Sequence, residues 1–288
     1  MKIAIVTDST AYLSNDELAK YKIHILPISV IIDGQTYEEG VDIDTAEFYE
    51  KLQSAKNFPS TAQPAAGKII ELYDQLARDG YDTVISIHLA STISGLYNQL
   101  VALAPTIKNI KVIPYDSKIT VKLMGYLAIA AAQMVTDGNS VDEILTELDA
   151  LRATIDEIFV VDDLMNLVKG GRLSNAAGMV GSLLHIKPLL TFDDQTDKIV
   201  AFDKVRTRKR ALKRAEEIFN QRTSNLDYPV RVLIINGNDQ EHGQIWADKI
   251  KALRPDVKVT QSYFGPVIGA HLGNKSLALA WMRDFELK

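Results

Sequence analysis

The sequence predicts an α/β protein with two domains: an N-terminal parallel sheet flanked by helices, and a C-terminal α/β domain with a mixed or antiparallel sheet. In the first half, short β-branched runs alternate with amphipathic stretches, which is typical of a sheet covered by helices. In the second half, the polar turn at residues 193–197 separates two apolar runs, which indicates a hairpin. A chain of 288 residues accommodates two domains. We expect them at 1–156 and 157–288.

The elements of the first half follow from hydrophobic periodicity. A helix over residues 67–79 has apolar side chains at helical spacing, and Gly80 follows it as a plausible residue just past the helix end. Further helices are predicted at 96–103 and, as a buried helix, at 123–135. Strands are predicted at residues 3–6, 23–32, 83–87 and 111–114.

The second half combines longer helices with strands of both orientations. A helix at 141–155 leads to the domain boundary. Beyond it, strands are predicted at residues 158–161, 189–192, 199–205, 230–236, 257–263 and 277–281, and helices at 207–222 and 240–253.

The composition restricts the function classes. The formal net charge is -5, which disfavours nonspecific nucleic-acid binding. With no cysteine the chain has no disulfide, no thiolate nucleophile and no Cys-ligated zinc, so the cytoplasm is the expected location. The longest apolar tract, 123–135, falls short of the roughly 20 residues of a membrane span, so no stable membrane insertion is expected.

Two hydroxyl-rich segments precede predicted helices. Residues 60–64 read Ser-Thr-Ala-Gln-Pro and residues 91–95 read Ser-Thr-Ile-Ser-Gly. A helix N-terminus has unsatisfied N–H donors and a partial positive charge, so two such turns together predict a site that receives an anion. Spacing alone favours a plainer interpretation, in which Thr61 and Ser94 are helix caps.

Well-known catalytic motifs are absent from the sequence. It has no G-x-x-x-x-G-K-[ST] phosphate loop, no G-x-S-x-G elbow, no H-E-x-x-H and no G-x-G-x-x-G, and its five histidines are dispersed without ligand spacing. Hydrolase and metalloenzyme functions are therefore disfavoured, and we expect neither a metal nor a cofactor.

Five segments in register carry a resemblance to a known family. They lie at residues 7–10, 60–64, 91–95, 169–174 and 265–273. Together they resemble the DegV family of bacterial fatty-acid-binding proteins, over a single unit spanning about 2–287. The resemblance implies a two-domain DegV-like fold. It also implies the role of an acyl-carrying subunit (FakB) of a two-component fatty acid kinase.

The resemblance also implies site residues. Thr61 and Ser94, with Gly95 beside it, correspond to the positions that hold the fatty-acid carboxylate. The head group is also reached by His271, from the Gly-Ala-His segment, and by Arg172, which follows two glycines. The sequence departs from the family pattern at Ala62, Leu96 and Asn274-Lys275, which leaves the acyl preference open. Acyl length and unsaturation, oligomeric state and any lid motion are not predicted.

Plainer interpretations of two of these residues stay open. His271 is also compatible with a satisfied core histidine, and Arg172 with an ion pair to Asp162 or Asp163. A second functional hypothesis is a stand-alone hydrolase or transferase with Ser94 as nucleophile and His271 as base. It requires the two side chains within hydrogen-bond reach and a further group that orients the histidine.

The expected partners are a long-chain fatty acid and a separate ATP-dependent fatty acid kinase. On the family resemblance, the protein has no turnover of its own, and the acyl phosphate made in the complex feeds phospholipid synthesis. The basic run at 204–214 is a candidate docking surface for the kinase, with Arg206 as the best candidate; the plainer interpretation is a solvated face. We expect the apolar stretches 176–184 and 186–190 to line the acyl channel or to pack helices closely.

Overall fold

The computed structural model describes residues 2–174 and 186–287. Within these residues the regular backbone is divided between strands and helices. The strands are β1 (Ile3–Asp8), β2 (Ile23–Leu26), β3 (Ser29–Ile32), β4 (Gln35–Glu38), β5 (Ser60–Ala62), β6 (Thr83–His88), β7 (Lys111–Asp116), β8 (Asp156–Val160), β9 (Lys187–Phe192), β10 (Ile199–Val205), β11 (Val230–Asn236), β12 (Lys258–Tyr263) and β13 (Leu277–Arg283). The α-helices are α1 (Asn15–Tyr21), α2 (Thr45–Ser54), α3 (Ala66–Arg78), α4 (Leu96–Leu103), α5 (Val121–Thr136), α6 (Val141–Arg152), α7 (Met165–Lys169), α8 (Arg208–Thr223), α9 (Gln240–Leu253) and α10 (Pro266–Leu272).

The first half forms the predicted parallel sheet. Its four strands lie in the order β2-β1-β6-β7, and every neighbouring pair is parallel. Pro114 lies in β7 at the sheet edge, where a residue without an N–H is tolerated. The apolar helix α5 is buried along most of its length against this sheet, as its sequence predicted.

The second half forms a mixed six-stranded sheet. Its order is β10-β9-β8-β13-β11-β12, antiparallel throughout except for the parallel pair β11 and β12. The strands alternate their side chains between two cores. On β8, Ile158 and Val160 pack under α8 and α9, whereas Phe159 joins the large core shared with the parallel sheet.

One predicted strand is wrong. Residues 23–32 form two strands, because Pro27 lies between them and has no N–H to donate to a ladder. Strand β2 pairs with β1, whereas β3 leaves the sheet and forms a separate antiparallel sheet with β4 and β5. The β3–β4 turn consists of Asp33 and Gly34, both with positive φ, which is the preferred geometry of a two-residue hairpin.

A second correction concerns residues 60–62. The sequence predicts a turn at a helix N-terminus for these residues. They form instead the edge strand β5, which pairs with β3. Helix α3 begins later and has Ala65 at its N-cap, without a side-chain cap. The β3 ladder therefore fixes the backbone of Thr61, which caps no helix.

A buried carboxylate joins the carboxyl ends of β1 and β6. Asp8 is fully buried and accepts hydrogen bonds from the Thr10 amide (3.0 Å), the Thr10 hydroxyl (2.6 Å) and the Leu89 amide (3.0 Å). Its other contact is with His88 Nδ1, at 3.0 Å. The Thr120 hydroxyl donates to Thr10 Oγ1 (3.0 Å), so the start of α5 is tied to the same network.

Two predictions, the channel lining at 176–184 and the domain division at 156/157, stay predictions. The stretch 176–184, expected to line the acyl channel, lies outside the described residues. The domain division at 156/157 stays a prediction; it falls at the start of β8. Among the described helices, none combines the length and apolar character needed to cross a membrane.

Removal of the Asp8 carboxylate is expected to destabilise the fold strongly. Asp8→Ala leaves buried donors on Thr10 and Leu89 unpaired, so the free energy of unfolding should fall by about 3–5 kcal/mol. The matched control is Asp248→Ala, at a side chain that is 60% exposed and 3.7 Å from Lys251; it should change stability by no more than about 0.5 kcal/mol. Denaturant unfolding of both variants measures this, and equal losses would contradict the role of Asp8.

Candidate functional site

A single cavity gathers most of the residues that the sequence singled out. Its volume is about 340 Å³, within the range of small-molecule sites, and residues from both halves of the chain line it. Of the six predicted site residues, five contribute to its wall, and only Arg206 does not. The five are Thr61, Ser94, Gly95, Arg172 and His271.

The polar end of the cavity is built around His271. This residue lies near the end of α10, and its Nε2 is 2.9 Å from the hydroxyl of Thr61 on β5. Its Nδ1 is buried and has no hydrogen-bond partner among the described residues. The imidazole is thus not a satisfied core histidine, the plainer interpretation of the sequence. Burial, with the positive charge of Arg172 as a second cause, lowers the pKa of His271 to about 4, so the ring is neutral at pH 7.

Ser94 and Gly95 lie where the loop after β6 enters α4. Gly95 is the N-cap residue of α4, and Ser94 Oγ accepts a hydrogen bond from the Leu96 amide at 3.3 Å. Because the hydroxyl oxygen is the acceptor in that bond, its proton remains available to a ligand. A Cβ at Gly95 would lie 2.4 Å from Gln63 Oε1, so this position requires glycine as long as Gln63 stays in place.

Arg172 adds a positive charge to the same end. Its Nε donates to the Ile93 carbonyl (3.1 Å) and its Nη1 to the Gly170 carbonyl (2.6 Å). The alternative ion pair with Asp162 or Asp163 does not form. Burial lowers the pKa of the guanidinium, since no carboxylate in the described part of the chain compensates its charge. An anion bound in the cavity would supply that compensation.

The rest of the cavity is largely apolar. Its floor is one face of the six-stranded sheet, where Ala278 on β13 lies between Phe159 on β8 and Ile235 on β11, and Ala280 lies two residues further along β13. The small alanine side chains leave space above the sheet. The opposite walls come from the loops after β2, β6 and β7, from the start of α5 and from α10, and include Ile28, Leu89, Ile119, Leu123, Val267 and Ile268.

The geometry that a Ser94/His271 enzyme requires is not present. Ser94 Oγ pairs with the Leu96 amide and His271 pairs with Thr61, and no described carboxylate orients the imidazole. A serine, histidine and aspartate do meet elsewhere. His88 Nε2 lies 2.7 Å from Ser86 Oγ, and its Nδ1 contacts Asp8; all three residues are fully buried, which gives them a structural role.

The basic run lies away from the cavity. Arg206 is exposed in the bend between β10 and α8, and no ion pair of this side chain is present among the described residues. Part of the positive charge of the run is compensated by ion pairs, since Arg208 pairs with Asp239 and Arg214 with Asp203. The exposed cations without an ion pair to a described residue are Lys204, Arg206, Lys209 and Arg210.

Sequence reasoning missed one ionisable residue of the cavity. Glu157, on β8, lines the wall and is 7% exposed. Its signal in the sequence was a carboxylate immediately before the apolar run 158–161.

The described residues give no candidate metal site. Residues 2–174 and 186–287 contain no group of three histidines and carboxylates placed to hold an ion.

Substitution of Gly170 tests the close packing around His271. Gly170 has φ -70°, which alanine adopts freely, but its Cβ would lie 2.5 Å from His271 Nδ1 and 2.9 Å from the Asn166 carbonyl. We expect Gly170→Ala to cost about 1–3 kcal/mol of unfolding free energy through this overlap. In the control Gly67→Ala the new methyl group meets open space, so stability should stay equal or rise. Equal effects in thermal unfolding would contradict the packing.

The lowered pKa of His271 predicts a dependence of stability on pH. In the unfolded chain a histidine has a pKa near 6.5, so protons bind preferentially to the unfolded state between about pH 6.5 and 4. Stability should therefore fall as the pH decreases through this window, by at most roughly 1.4 kcal/mol per pH unit from this group. His271→Asn should remove that part of the slope in denaturant titrations at several pH values. A slope that is the same in both proteins would rule this out.

Comparison with known proteins places the chain in a family. The model of the family described as "Uncharacterised protein, DegV family" matches residues 2–284. A DegV domain-containing protein of Listeria innocua is 45% identical over 280 residues, which are 97% of this chain and 98% of the relative.

Solved structures agree with this relationship. DegV from Bacillus subtilis, described as a fatty acid binding protein, is 39% identical with a TM-score of 0.90, covering 99% of this chain and 100% of that one. A fatty acid binding DegV family protein from Streptococcus agalactiae is 34% identical with a TM-score of 0.89, again covering 99% and 100%. Both of these neighbours are thus described as fatty-acid-binding proteins and share the fold described above. The match over nearly the whole length confirms the resemblance seen in the five motifs: the chain belongs to the DegV family.

Proposed function

We propose that the protein binds a long-chain fatty acid in the cavity and presents its carboxylate to a separate ATP-dependent fatty acid kinase. The observation that carries the proposal is the division of one cavity into a polar, cationic end and a largely apolar remainder. A fatty acid has the same division. Family membership supports the proposal, since related structures are those of fatty acid binding proteins.

The polar end supplies the donors that a buried carboxylate needs. Ser94 accepts from the Leu96 amide, so its own proton can be donated to the ligand. If His271 donates through Nε2 to Thr61, the Thr61 hydroxyl proton is free in the same way. In the proposal these two hydroxyls bind the carboxylate together with the Gly95 amide, and Arg172 balances the charge. Bonds of this kind to an ionised group are the strong ones.

The apolar part of the cavity supplies the driving force for binding. Each methylene transferred from water contributes about 0.8 kcal/mol. The alanines of β13 leave a path for the chain between the bulkier side chains of β8 and β11. A carrier protein needs no reactive side chain along the acyl chain. Phe159, Ile235 and Ile268, which line this part of the cavity, have none.

In this proposal the protein is a cytoplasmic carrier and not an enzyme. Phosphoryl transfer occurs in a complex with the kinase, which supplies the nucleotide and its metal ion, and the acyl phosphate then enters phospholipid synthesis. The protein itself needs no cofactor beyond its bound fatty acid. We further propose that the ligand lies between the two domains, 1–156 and 157–288.

The identity of the ligand is tested by native mass spectrometry. Protein purified from bacteria without added lipid should carry one fatty acid per chain, recovered by solvent extraction. Thr61→Ala and Ser94→Ala each remove a hydrogen bond to a charged group, worth about 1.5–3 kcal/mol, so affinity for added fatty acid should fall roughly 10- to 100-fold. Thr61→Ser keeps the hydroxyl and serves as the control.

Two results would contradict the proposal. One is protein that carries no lipid and does not take up added fatty acid. The other is a phosphorylated metabolite in place of the lipid, which would favour the stand-alone hydrolase or transferase hypothesis. In that case Ser94 and His271 would be the next targets.

The docking role of the basic run is tested by charge reversal. Arg206→Glu should raise the KM of the kinase for the loaded carrier by about tenfold and leave fatty-acid affinity unchanged, because exposed interfacial charges act mainly on encounter. Lys258→Glu makes a closely similar change on β12, at the opposite edge of the six-stranded sheet, and is the control. Equal kinase kinetics for the two variants would dismiss the docking role of Arg206.

A further inference from the structure

Glu157 is an unusual residue for a cavity that is otherwise apolar away from its head end. It is the one carboxyl group among the described lining residues, and it lies on the sheet floor opposite Ala280. Its neighbour on the same face of β8 is Phe159. The other ionisable lining residues, Arg172 and His271, belong to the polar end already described.

The two oxygens of Glu157 have different surroundings. Oε1 accepts hydrogen bonds from the Phe192 amide (2.7 Å) and the Thr191 hydroxyl (3.0 Å). Oε2 has no hydrogen bond to any residue that the structure describes. No described lysine or arginine pairs with the group either, so it is not half of a buried ion pair.

The surroundings of Glu157 favour the protonated form of its carboxyl group. Burial is the main cause, and the nearby carboxylates Asp156 and Asp194 add to it, so the pKa of Glu157 rises to about 8. Because Oε1 already accepts two hydrogen bonds, the proton resides on Oε2. Glu157 thus brings to the lining of the cavity an O–H donor without an acceptor among the described residues.

We propose that Glu157 is a specificity residue that favours fatty acids with a hydroxyl group on the carbon lying beside it. The inference rests on the proposed fatty-acid function. A plain methylene chain leaves the Oε2 donor unpaired in an apolar environment, which is unfavourable. A chain hydroxyl accepts that hydrogen bond, and a site built around such a bond discriminates against the ligand that lacks it.

The test compares palmitic acid with a series of palmitic acids hydroxylated at successive carbons. In the wild-type protein, at least one position of the series should bind about tenfold more tightly than palmitic acid. Glu157→Leu should abolish this preference and keep or improve the affinity for palmitic acid. Glu157→Gln should retain the preference, since its amide oxygen still accepts from Thr191 and Phe192 and its NH₂ group replaces the lost donor.

Glu157 also borders a surface pocket, together with Ile119 and Phe192. Binding of the acid series to the wild-type protein alone shows whether Oε2 faces the cavity or this pocket. If Oε2 serves that pocket, palmitic acid binds and no hydroxylated acid is preferred, which overturns the inference and leaves the proposed function intact. A preference that survives Glu157→Leu also overturns it. If no acid of the series binds, the proposed fatty-acid function fails first.

Discussion

The buried carboxylate of Asp8 is the constraint on which the construction of the cavity depends. It fixes the turn after β1 through Thr10 and the start of the loop after β6 through Leu89. The β6 loop then leads to Ser94, and the link from Thr10 to Thr120 places the start of α5, which lines the same cavity. The rigid ends of a parallel sheet thus hold the loops that the proposed ligand would contact.

The cavity combines two requirements that oppose each other. A carboxylate needs several donors, and an acyl chain needs a dry wall, so the two must be separated in space. In this molecule the donors come from β5, α10 and the start of α4, whereas the apolar floor comes from β8, β13 and β11. Glu157 is the exception on that floor; burial raises its pKa, and its Oε1 is paired with Thr191 and Phe192.

Local patterns in the sequence predicted the elements whose periodicity is clear. The short β-branched runs at β1, β6 and β11, separated by helical stretches, and the apolar length of α5 predict the fold class directly. Pro27, which ends a strand, and Asp33-Gly34, which forms a hairpin, are the local signals for the separate three-stranded sheet. Residues 60–62 were misassigned because pairing with β3 depends on a distant segment and not on local propensity.

The functional site also depends on contacts between residues that are far apart in the sequence. Thr61 and His271 are 210 residues apart in the chain, so only the family resemblance placed them together before their contact was known. The Ser86, His88 and Asp8 contacts had a partial signal, because residues two apart on a strand share a face. The account is tested most directly by a crystal structure of the protein with a fatty acid that carries bromine at its terminal carbon. It predicts the carboxylate between Thr61 and Ser94 and the anomalous bromine peak over Ala278 and Ala280; a bromine peak beside His271, or a carboxylate outside the cavity, would contradict it.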